Sequence, residues 1–279
     1  MPRLKITTPG VETIELHYQD AGRGRPVVLI HGWPLSSRAW EPQVPALVAA
    51  GYRVITYDRR GFGQSSQPWS GYDYDTFAND LHALVTELDL HAATLVGFSM
   101  GGGEVARYVA RHGRARLAQA VFACAVPPFL LKAGDNEEGG VTLDGVDQMQ
   151  GGVRADRLAF LDDFTRNFFS VGDQLLVSEA QRRHARDIAA FASPQGTHDC
   201  IRAFSATDFR ADLATFGDLP CLVLHGDADA IVPFEVSGAR TLKALRNATL
   251  ALVAGAPHGF NLSHAAEFNR HLVAFLQAA

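Results

Sequence analysis

The chain has few cysteines, few lysines and no long apolar run. Its three cysteines, Cys124, Cys200 and Cys221, are too few for a disulfide framework, and none stands at metal-ligand spacing from another or from a histidine cluster. Cys124 and Cys221 fall in apolar, strand-like runs, where we expect buried thiols. No apolar run approaches the roughly 18 residues of a membrane span, and residues 1–5 lead straight into strand-like sequence without a signal peptide. We therefore expect a soluble, unexported protein in the cytoplasm, with no membrane partner.

The sequence also lacks a basic stripe and the glycine-rich phosphate motifs. Its 25 basic and 30 acidic residues are interspersed and leave a formal net charge of −5, which argues against a nucleic-acid partner. No Gly-x-Gly-x-x-Gly follows a predicted strand, and no histidine cluster has metal-ligand spacing. We therefore expect no cofactor and no metal.

Strands and helices alternate along most of the chain. Continuous apolar runs at 26–30, 52–57 and 93–96 are typical of strands that are buried on both faces, and apolar residues at three- and four-residue steps predict a helix over 75–88. Further runs predict strands at 117–126, 221–224 and 249–253, helices at 38–50 and 104–112, and a last helix over 264–277. This alternation predicts an α/β fold with a mostly parallel, doubly wound sheet of about eight strands.

One block interrupts the alternation. Residues 129–216 contain no strand of comparable quality and are typical of helices with glycine-rich joints, one of them over 154–169. We therefore predict a core domain formed by residues 1–128 and 217–279, with residues 129–216 inserted as a helical cap over one end of the sheet.

A Gly-x-Ser-x-Gly motif stands between a predicted strand and a predicted helix. The sequence Gly97-Phe98-Ser99-Met100-Gly101 has the strand-turn-helix context of a nucleophile elbow, in which the serine adopts a strained turn and the flanking glycines avoid collisions. This context predicts that Ser99 is a catalytic nucleophile.

A serine nucleophile needs a base and an orienting carboxylate. In an open α/β sheet such groups lie beyond the carboxyl ends of strands. Asp227 and Asp229 follow the strand at 221–224, and His258 follows the strand at 249–253. The order serine, aspartate, histidine is that of the α/β-hydrolase topology. We predict His258 as the base, with His264 as an alternative, and leave Asp227 and Asp229 as competing acids.

The other histidines show no comparable indication of a catalytic role. His31 and His225 end strands just before glycine, where we expect the ring to pack under the loop and to hydrogen-bond the backbone. We expect a solvated side chain for each of seven others: His17, His82, His91, His112, His184, His198 and His271.

Six motifs carry a more specific resemblance. They are His31-Gly32-Trp33-Pro34 and the segments 57–66, 97–101, 207–210, 225–229 and 256–260. On these motifs the chain resembles the bacterial cofactor-free haloperoxidases and aryl esterases of the α/β-hydrolase superfamily, which are also perhydrolases. The resemblance implies that the last aspartate of His225-Gly226-Asp227-Ala228-Asp229 is the acid. This leaves Asp227 as a loop residue that caps the turn.

The resemblance also implies an activity. It predicts a serine hydrolase of small carboxylic esters that uses hydrogen peroxide as a second nucleophile and so forms peracids. Backbone N–H groups of Trp33 and Met100 are the expected oxyanion donors. Proline fixes φ and has no N–H, so Pro34 constrains the backbone directly after the Trp33 donor; in the family that this chain resembles, a proline beside the oxyanion aromatic accompanies peracid formation.

The resemblance further implies a small apolar acyl pocket. Besides Trp33 and Pro34, the residues expected to line it are Phe129, Phe164, Phe204, Val232 and Phe234. Plain core packing is an equal interpretation for each of these five. Relatives form oligomers, but no sequence feature identifies an interface here.

Two other functions compete with this prediction. A lactonase or amidase would use the same three side chains, and a non-catalytic small-molecule-binding protein would share the fold but often lacks one of them. An aspartate would replace Ser99 in a haloalkane dehalogenase, which excludes that activity.

Overall fold

An eight-stranded sheet forms the centre of the protein. The structure is a computed structural model that describes residues 2–7 and 13–278. The strands, in chain order, are β1 (Arg3–Ile6), β2 (Ile14–Gly22), β3 (Pro26–Ile30), β4 (Arg53–Tyr57), β5 (Ala93–Phe98), β6 (Leu117–Ala123), β7 (Ser170–Val171), β8 (Gln174–Leu175), β9 (Cys221–Gly226) and β10 (Ala248–Val253). The order in the main sheet is β1-β2-β4-β3-β5-β6-β9-β10, and β7 and β8 form a separate small hairpin.

Seven of the eight strands in the main sheet point in the same direction, and β2 runs opposite to them. Within the described part of the main sheet, the pairs β1 with β2 and β2 with β4 are antiparallel and the remaining pairs are parallel. The strand order reverses at β3, which lies between β4 and β5. A reversal of this kind opens a crevice beyond the carboxyl ends of the strands, where ligands bind in open α/β sheets.

Helices cover both faces of the sheet. They are α1 (Gln43–Ala49), α2 (Tyr74–Glu87), α3 (Met100–His112), α4 (Leu143–Ala155), α5 (Arg157–Phe168), α6 (Glu179–Ala190), α7 (Pro194–Ala206), α8 (Arg210–Leu213), α9 (Gly238–Ala244), α10 (Phe260–Ser263) and α11 (Ala265–Gln277). Successive residues of a strand point to opposite faces, and β3 shows this directly. Val28 and Ile30 belong to the apolar cluster under α2 and α3, whereas Val27 and Leu29 belong to the cluster under α1 and α11. The predicted doubly wound fold is confirmed.

The helices α4 to α8 lie between the end of β6 and the start of β9, in the stretch predicted as a cap. Most of the helix predicted over 154–169 is α5, but it begins three residues later, because α4 ends at Ala155 and Asp156 separates the two helices. Its carboxylate accepts a hydrogen bond from the Ala159 N–H at 3.0 Å and so caps the start of α5. The predicted helix over 38–50 is likewise divided, because a 3₁₀ turn over Ser37–Trp40 precedes Pro42 and α1. The bounds of the cap as a unit stay a prediction.

Three further predictions can be compared with the structure. Cys124, Cys200 and Cys221 are all buried and free. Among the described residues, no helix combines the length and the apolar character that crossing a bilayer requires. The prediction of a solvated His17 is wrong, because this side chain is buried in β2, where its Nδ1 lies 3.1 Å from Asp58 Oδ2.

Candidate active site

Ser99 occupies a sharp turn between β5 and α3. Its φ is +55° and its ψ is −120°, a conformation that non-glycine residues adopt at a cost and mainly at functional sites. A Cβ on Gly97 would lie 2.4 Å from the Gly101 carbonyl oxygen, and one on Gly101 would lie 2.5 Å from that of Ile30. Both positions therefore require glycine, and the strand-turn-helix geometry predicted from the sequence is confirmed.

The Ser99 hydroxyl faces His258. The Oγ of Ser99 lies 2.9 Å from Nε2 of His258, on a loop between β10 and α10. The other ring nitrogen, Nδ1, donates to Asp229 Oδ2 at 2.6 Å, so Nε2 is the acceptor when the ring is neutral. Phe98 and Phe168 pack against the ring with centroid distances of 5.2 and 4.8 Å. The ring is thus held in one orientation and shielded from water.

Asp229 is surrounded by hydrogen-bond donors. Its Oδ1 accepts from the backbone N–H groups of Ile231 and Val232, at 2.9 and 2.8 Å. Its Oδ2 accepts from His258 and lies 3.3 Å from His225 Nε2. Burial alone would raise the pKa of Asp229, but the charge of His258 and the hydrogen bonds from His225 and His258 outweigh it and hold the pKa well below its usual range. The carboxylate is therefore ionised at neutral pH.

Asp227 and the strand-end histidines have other partners. Asp227 is exposed and accepts a single hydrogen bond from the Gly255 N–H at 2.7 Å, which bridges the loops after β9 and β10. His225 Nε2 donates to the Val232 carbonyl at 2.9 Å, and His31 bonds to the Gly32 carbonyl at the same distance. Both histidines lie under their loops, as expected. His264 bonds its neighbour Ser263, so the geometry favours His258 and Asp229 over the alternatives.

Two backbone N–H groups are available beside Ser99. Met100 is the first residue of α3, where an N–H has no partner within its own helix. Trp33 lies in the loop after β3. Within residues 2–7 and 13–278, neither amide finds a hydrogen-bond acceptor. The indole of Trp33 is held separately, because its Nε1 donates to the Thr197 carbonyl on α7 at 3.0 Å.

A buried ion pair supports the loop that carries Trp33. Arg59 donates to Glu104 Oε2 at 2.7 Å, and both side chains are at most 1% exposed. Arg59 also donates from Nη2 to the His31 carbonyl at 2.9 Å and from its backbone N–H to His31 Nε2 at 3.0 Å. Tyr57 donates to the other oxygen of Glu104. Burial, and then the Arg59 charge, lower the pKa of His31 to about 3. His31 is therefore a neutral acceptor.

A small apolar cavity of about 60 Å³ opens on Ser99. The loops after β3, β5, β6 and β9 and the helices α4, α5 and α7 all contribute to its lining, which consists of Trp33, Ser99, Val126, Leu130, Val141, Met149, Phe164, Phe204, Ile231 and Val232. Trp33 packs against Phe164 and Phe204 with centroid distances of 4.9 and 5.6 Å. No charged side chain lines the cavity among the described residues, so its walls suit an uncharged, apolar group.

The structure brings only some of the predicted pocket residues to this cavity. Trp33, Phe164, Phe204 and Val232 line it, but Pro34, Phe129 and Phe234 do not. Pro34 is buried directly after Trp33. The placement of Phe129 and Phe234 corrects the prediction: Phe129 packs under the Arg210 guanidinium, 5.3 Å from its ring centroid, and Phe234 packs against His225 at 5.5 Å. The positions of Phe129 and Phe234 just after strands and loops of the site did not determine which way their rings point.

Cys124 lies next to the acid. Its sulfur and one ligand atom each of Asp229 and His258 lie within 4.8 Å of one another, which is close enough to ask whether they hold a metal. Burial, followed by the charge of Asp229, raises the pKa of the Cys124 thiol, whereas a metal requires the thiolate. Asp229 Oδ2 and His258 Nδ1 already bond each other. These three residues therefore fit a hydrogen-bonded group and not a metal centre.

Comparison with known proteins gives a consistent result. The sequence profile described as alpha/beta hydrolase fold matches residues 25–265. A non-heme chloroperoxidase from Kitasatospora aureofaciens is 44% identical, over 94% of this chain and 96% of its own length. A bifunctional esterase/perhydrolase from Acinetobacter calcoaceticus is 36% identical, over 95% and 97%.

One solved structure shares a higher sequence identity with this chain than these two relatives do. The crystal structure of a bromoperoxidase from Bacillus anthracis is 57% identical, covers 99% of this chain and 100% of its own, and superimposes with a TM-score of 0.95. These similarities support an enzyme of the hydrolase and non-heme haloperoxidase type. The chain belongs to the α/β-hydrolase fold family.

Proposed function

We propose that this enzyme hydrolyses small carboxylic esters through an acyl intermediate on Ser99, and that hydrogen peroxide replaces water as the second nucleophile to give a peracid. The observation that carries the proposal is the chain of two hydrogen bonds that joins Ser99 Oγ, the His258 ring and Asp229. The Ser99 end of this hydrogen-bonded chain faces an apolar cavity. Two backbone amides that have no acceptor among the described residues lie beside it.

The first half-reaction follows from this geometry. His258 Nε2 removes the Ser99 proton as the oxygen attacks the ester carbonyl, and the ionised Asp229 stabilises the imidazolium that forms. The amides of Trp33 and Met100 donate to the oxyanion. Loss of one such donor costs roughly a hundred- to a thousandfold in rate. His258 then returns the proton to the leaving alcohol, which leaves the acyl group on Ser99.

The second half-reaction uses the same groups in reverse. His258 removes a proton from water or from hydrogen peroxide, and the resulting oxygen nucleophile attacks the acyl-Ser99 ester. Water yields the carboxylic acid, and peroxide yields the peracid. The peracid then oxidises halide in solution, so halogenation needs no halide site on the protein.

The cavity limits the acyl group. Its volume of about 60 Å³ is roughly that of two water molecules in the liquid, so a short acyl chain fits and a long one does not. Its apolar walls disfavour a second carboxylate, because a buried charge without a partner is strongly penalised. Short-chain and aryl esters, and acetate with peroxide, are therefore the substrates of choice for a test.

The test compares two rates in Pro34→Leu. Proline gives the backbone after Trp33 a fixed φ and no N–H. Leucine lets φ vary and adds a backbone N–H. We expect the ratio of peracid formation from acetate and peroxide to hydrolysis of an aryl acetate to fall in this variant.

Two controls accompany the test. Pro45 is exposed in α1, so Pro45→Leu removes a proline away from the site, and its ratio should match that of the wild type. Ser99→Ala should lose both activities. An unchanged ratio in Pro34→Leu contradicts the role of Pro34 in peracid formation, and full hydrolysis by Ser99→Ala contradicts the mechanism as a whole.

A further inference from the structure

One oxidisable thioether lines the cavity where the peracid would form. Met149 lies on α4 of the cap, is half-buried, and shares the lining with Ser99. The chain has three methionines, Met1, Met100 and Met149. The Met100 side chain is fully buried and is not among the lining residues of the described chain. Met149 is therefore the methionine whose sulfur meets the contents of the cavity.

We propose that Met149 is a self-oxidation site, at which the peracid released from Ser99 converts the thioether to the sulfoxide. The inference rests on the proposed perhydrolase function. It goes further, because it assigns a covalent modification to a residue that no catalytic step requires.

The chemistry balances without another reagent. Peroxide attack on acyl-Ser99 gives the peracid and restores the serine hydroxyl. The Met149 sulfur then attacks the outer peroxy oxygen, the O–O bond breaks, and an S–O bond forms. The thioether loses two electrons and becomes the sulfoxide. The peracid gains those two electrons, and the peroxy proton passes to its carboxyl oxygen, so that the carboxylic acid is the by-product.

The size of the cavity makes this reaction competitive with escape. In a space of about 60 Å³, a peracid formed on Ser99 contacts the lining before it reaches solvent. A product released beside its target reacts at a local concentration far above its bulk value. Diffusing peracid, in contrast, meets every exposed residue alike.

The modification would change the cavity. Methionine sulfoxide is polar and chiral, whereas methionine is flexible and apolar. One sulfoxide among apolar walls weakens the binding of an apolar acyl group, since the new S–O dipole is partly desolvated. Activity should therefore decline with the number of peracid turnovers and not merely with time in peroxide. Methionine sulfoxide reductase would restore it.

The experiment separates internal from external oxidation. Wild type and Ser99→Ala are incubated with acetate and hydrogen peroxide in excess free methionine, which consumes peracid that reaches the bulk. Peracid formation is measured in parallel without the scavenger. Trypsin then cuts after Lys132 and Arg154, so that residues 133–154 carry Met149 alone, while Met100 falls in residues 61–107. Mass spectrometry reports the added oxygen in each peptide.

We expect Met149 sulfoxide in the wild type to exceed that in Ser99→Ala by roughly tenfold or more, with no such enrichment at Met100. Equal oxidation of Met149 in both proteins, while the wild type makes peracid, overturns the inference and leaves the proposed function intact. Absence of peracid from the wild-type reaction overturns the proposed function and the inference with it.

A second variant tests the consequence. Met149→Leu keeps an apolar side chain of similar size without the sulfur. Each protein is compared with its own starting rate of ester hydrolysis after equal numbers of peracid turnovers. The wild type should lose activity and regain it with methionine sulfoxide reductase, and Met149→Leu should keep its starting rate. Equal losses in both proteins would show that another residue causes the decline and would overturn the assigned role of Met149.

Discussion

Replacement of Asp229 by asparagine tests the assignment of the acid more sharply than any other change. The groups that hydrogen-bond the carboxylate are donors: the Ile231 and Val232 N–H groups on Oδ1, and the ring N–H groups of His258 and His225 on Oδ2. An asparagine presents one acceptor oxygen and one NH₂ group. In either orientation its NH₂ group faces a donor.

The expected loss in kcat depends on which tautomer the His258 ring adopts in the variant. If the NH₂ group of asparagine faces His258, Nδ1 must become an acceptor, and the proton moves to Nε2. His258 then has no lone pair toward Ser99 and no longer acts as its base. A change of tautomer of this kind lowers kcat by about 10⁴ in serine-histidine-aspartate enzymes. If the amide oxygen faces His258 instead, the NH₂ group opposes the two backbone N–H groups, and the loop after β9 is strained.

The assay is hydrolysis of an aryl acetate at saturating substrate, with the thermal midpoint measured to show that each variant is folded. Asp227→Asn is the matched control, because it makes the same chemical change two residues away. Asp227 is exposed and accepts only the Gly255 N–H, so we expect kcat to stay within about twofold, as for a surface change of ~0.5 kcal/mol. The reasoning is refuted if folded Asp229→Asn keeps more than a tenth of the activity, or if Asp227→Asn causes the larger loss.

The buried ion pair and the buried histidine yield two further predictions. Arg59→Met leaves Glu104 buried without its charged partner and should lower the free energy of unfolding in urea by about 3–5 kcal/mol, whereas Arg186→Met breaks two exposed pairs, with Asp162 and Asp187, and should cost ~0–1 kcal/mol for each. A loss at Arg59 as small as that at Arg186 would show that the pair does not stabilise the fold. The pKa of His31 is about 3 in the folded protein and about 6.5 in an unfolded chain, so below pH 6.5 the unfolded state binds more protons. The contribution of His31 to stability is therefore present at neutral pH and decreases as the pH falls from 6.5 towards 3. In His31→Gln the slope of unfolding free energy against pH, between pH 6 and 5, should be flatter by up to ~1.4 kcal/mol per pH unit, and parallel slopes would contradict the assignment of a neutral His31.

The sequence predicted the parts of the site that depend on local signals. Gly97 and Gly101 flank a serine in a strand-turn-helix context, and the structure explains both glycines by the lack of space for a Cβ. His258 and the competing acids Asp227 and Asp229 were predicted from their positions after strands, because the carboxyl ends of parallel strands meet at one edge of the sheet; the family resemblance then selected Asp229. In each case the backbone pattern alone limits where the side chain can lie.

The parts that were missed depend on contacts between distant segments. Arg59 and Glu104 are 45 residues apart, and nothing in their local sequence indicates that each is the other's buried partner. His17 was predicted to be solvated because nothing in its local sequence indicates that Asp58 is its buried neighbour. The position of Met149 in the cavity lining was not predicted, because a helical pattern does not specify which residue of a helix face meets a distant pocket.

The two attachments of Trp33 have a consequence for the proposed oxyanion site. Its main chain lies in the loop after β3, next to Ser99, while its indole is hydrogen-bonded to Thr197 on α7. A displacement of α7 relative to the sheet would therefore move the residue proposed to stabilise the oxyanion. The indole thus couples the packing of α7 to the position of the Trp33 amide, although Trp33 and Thr197 are 164 residues apart in the chain.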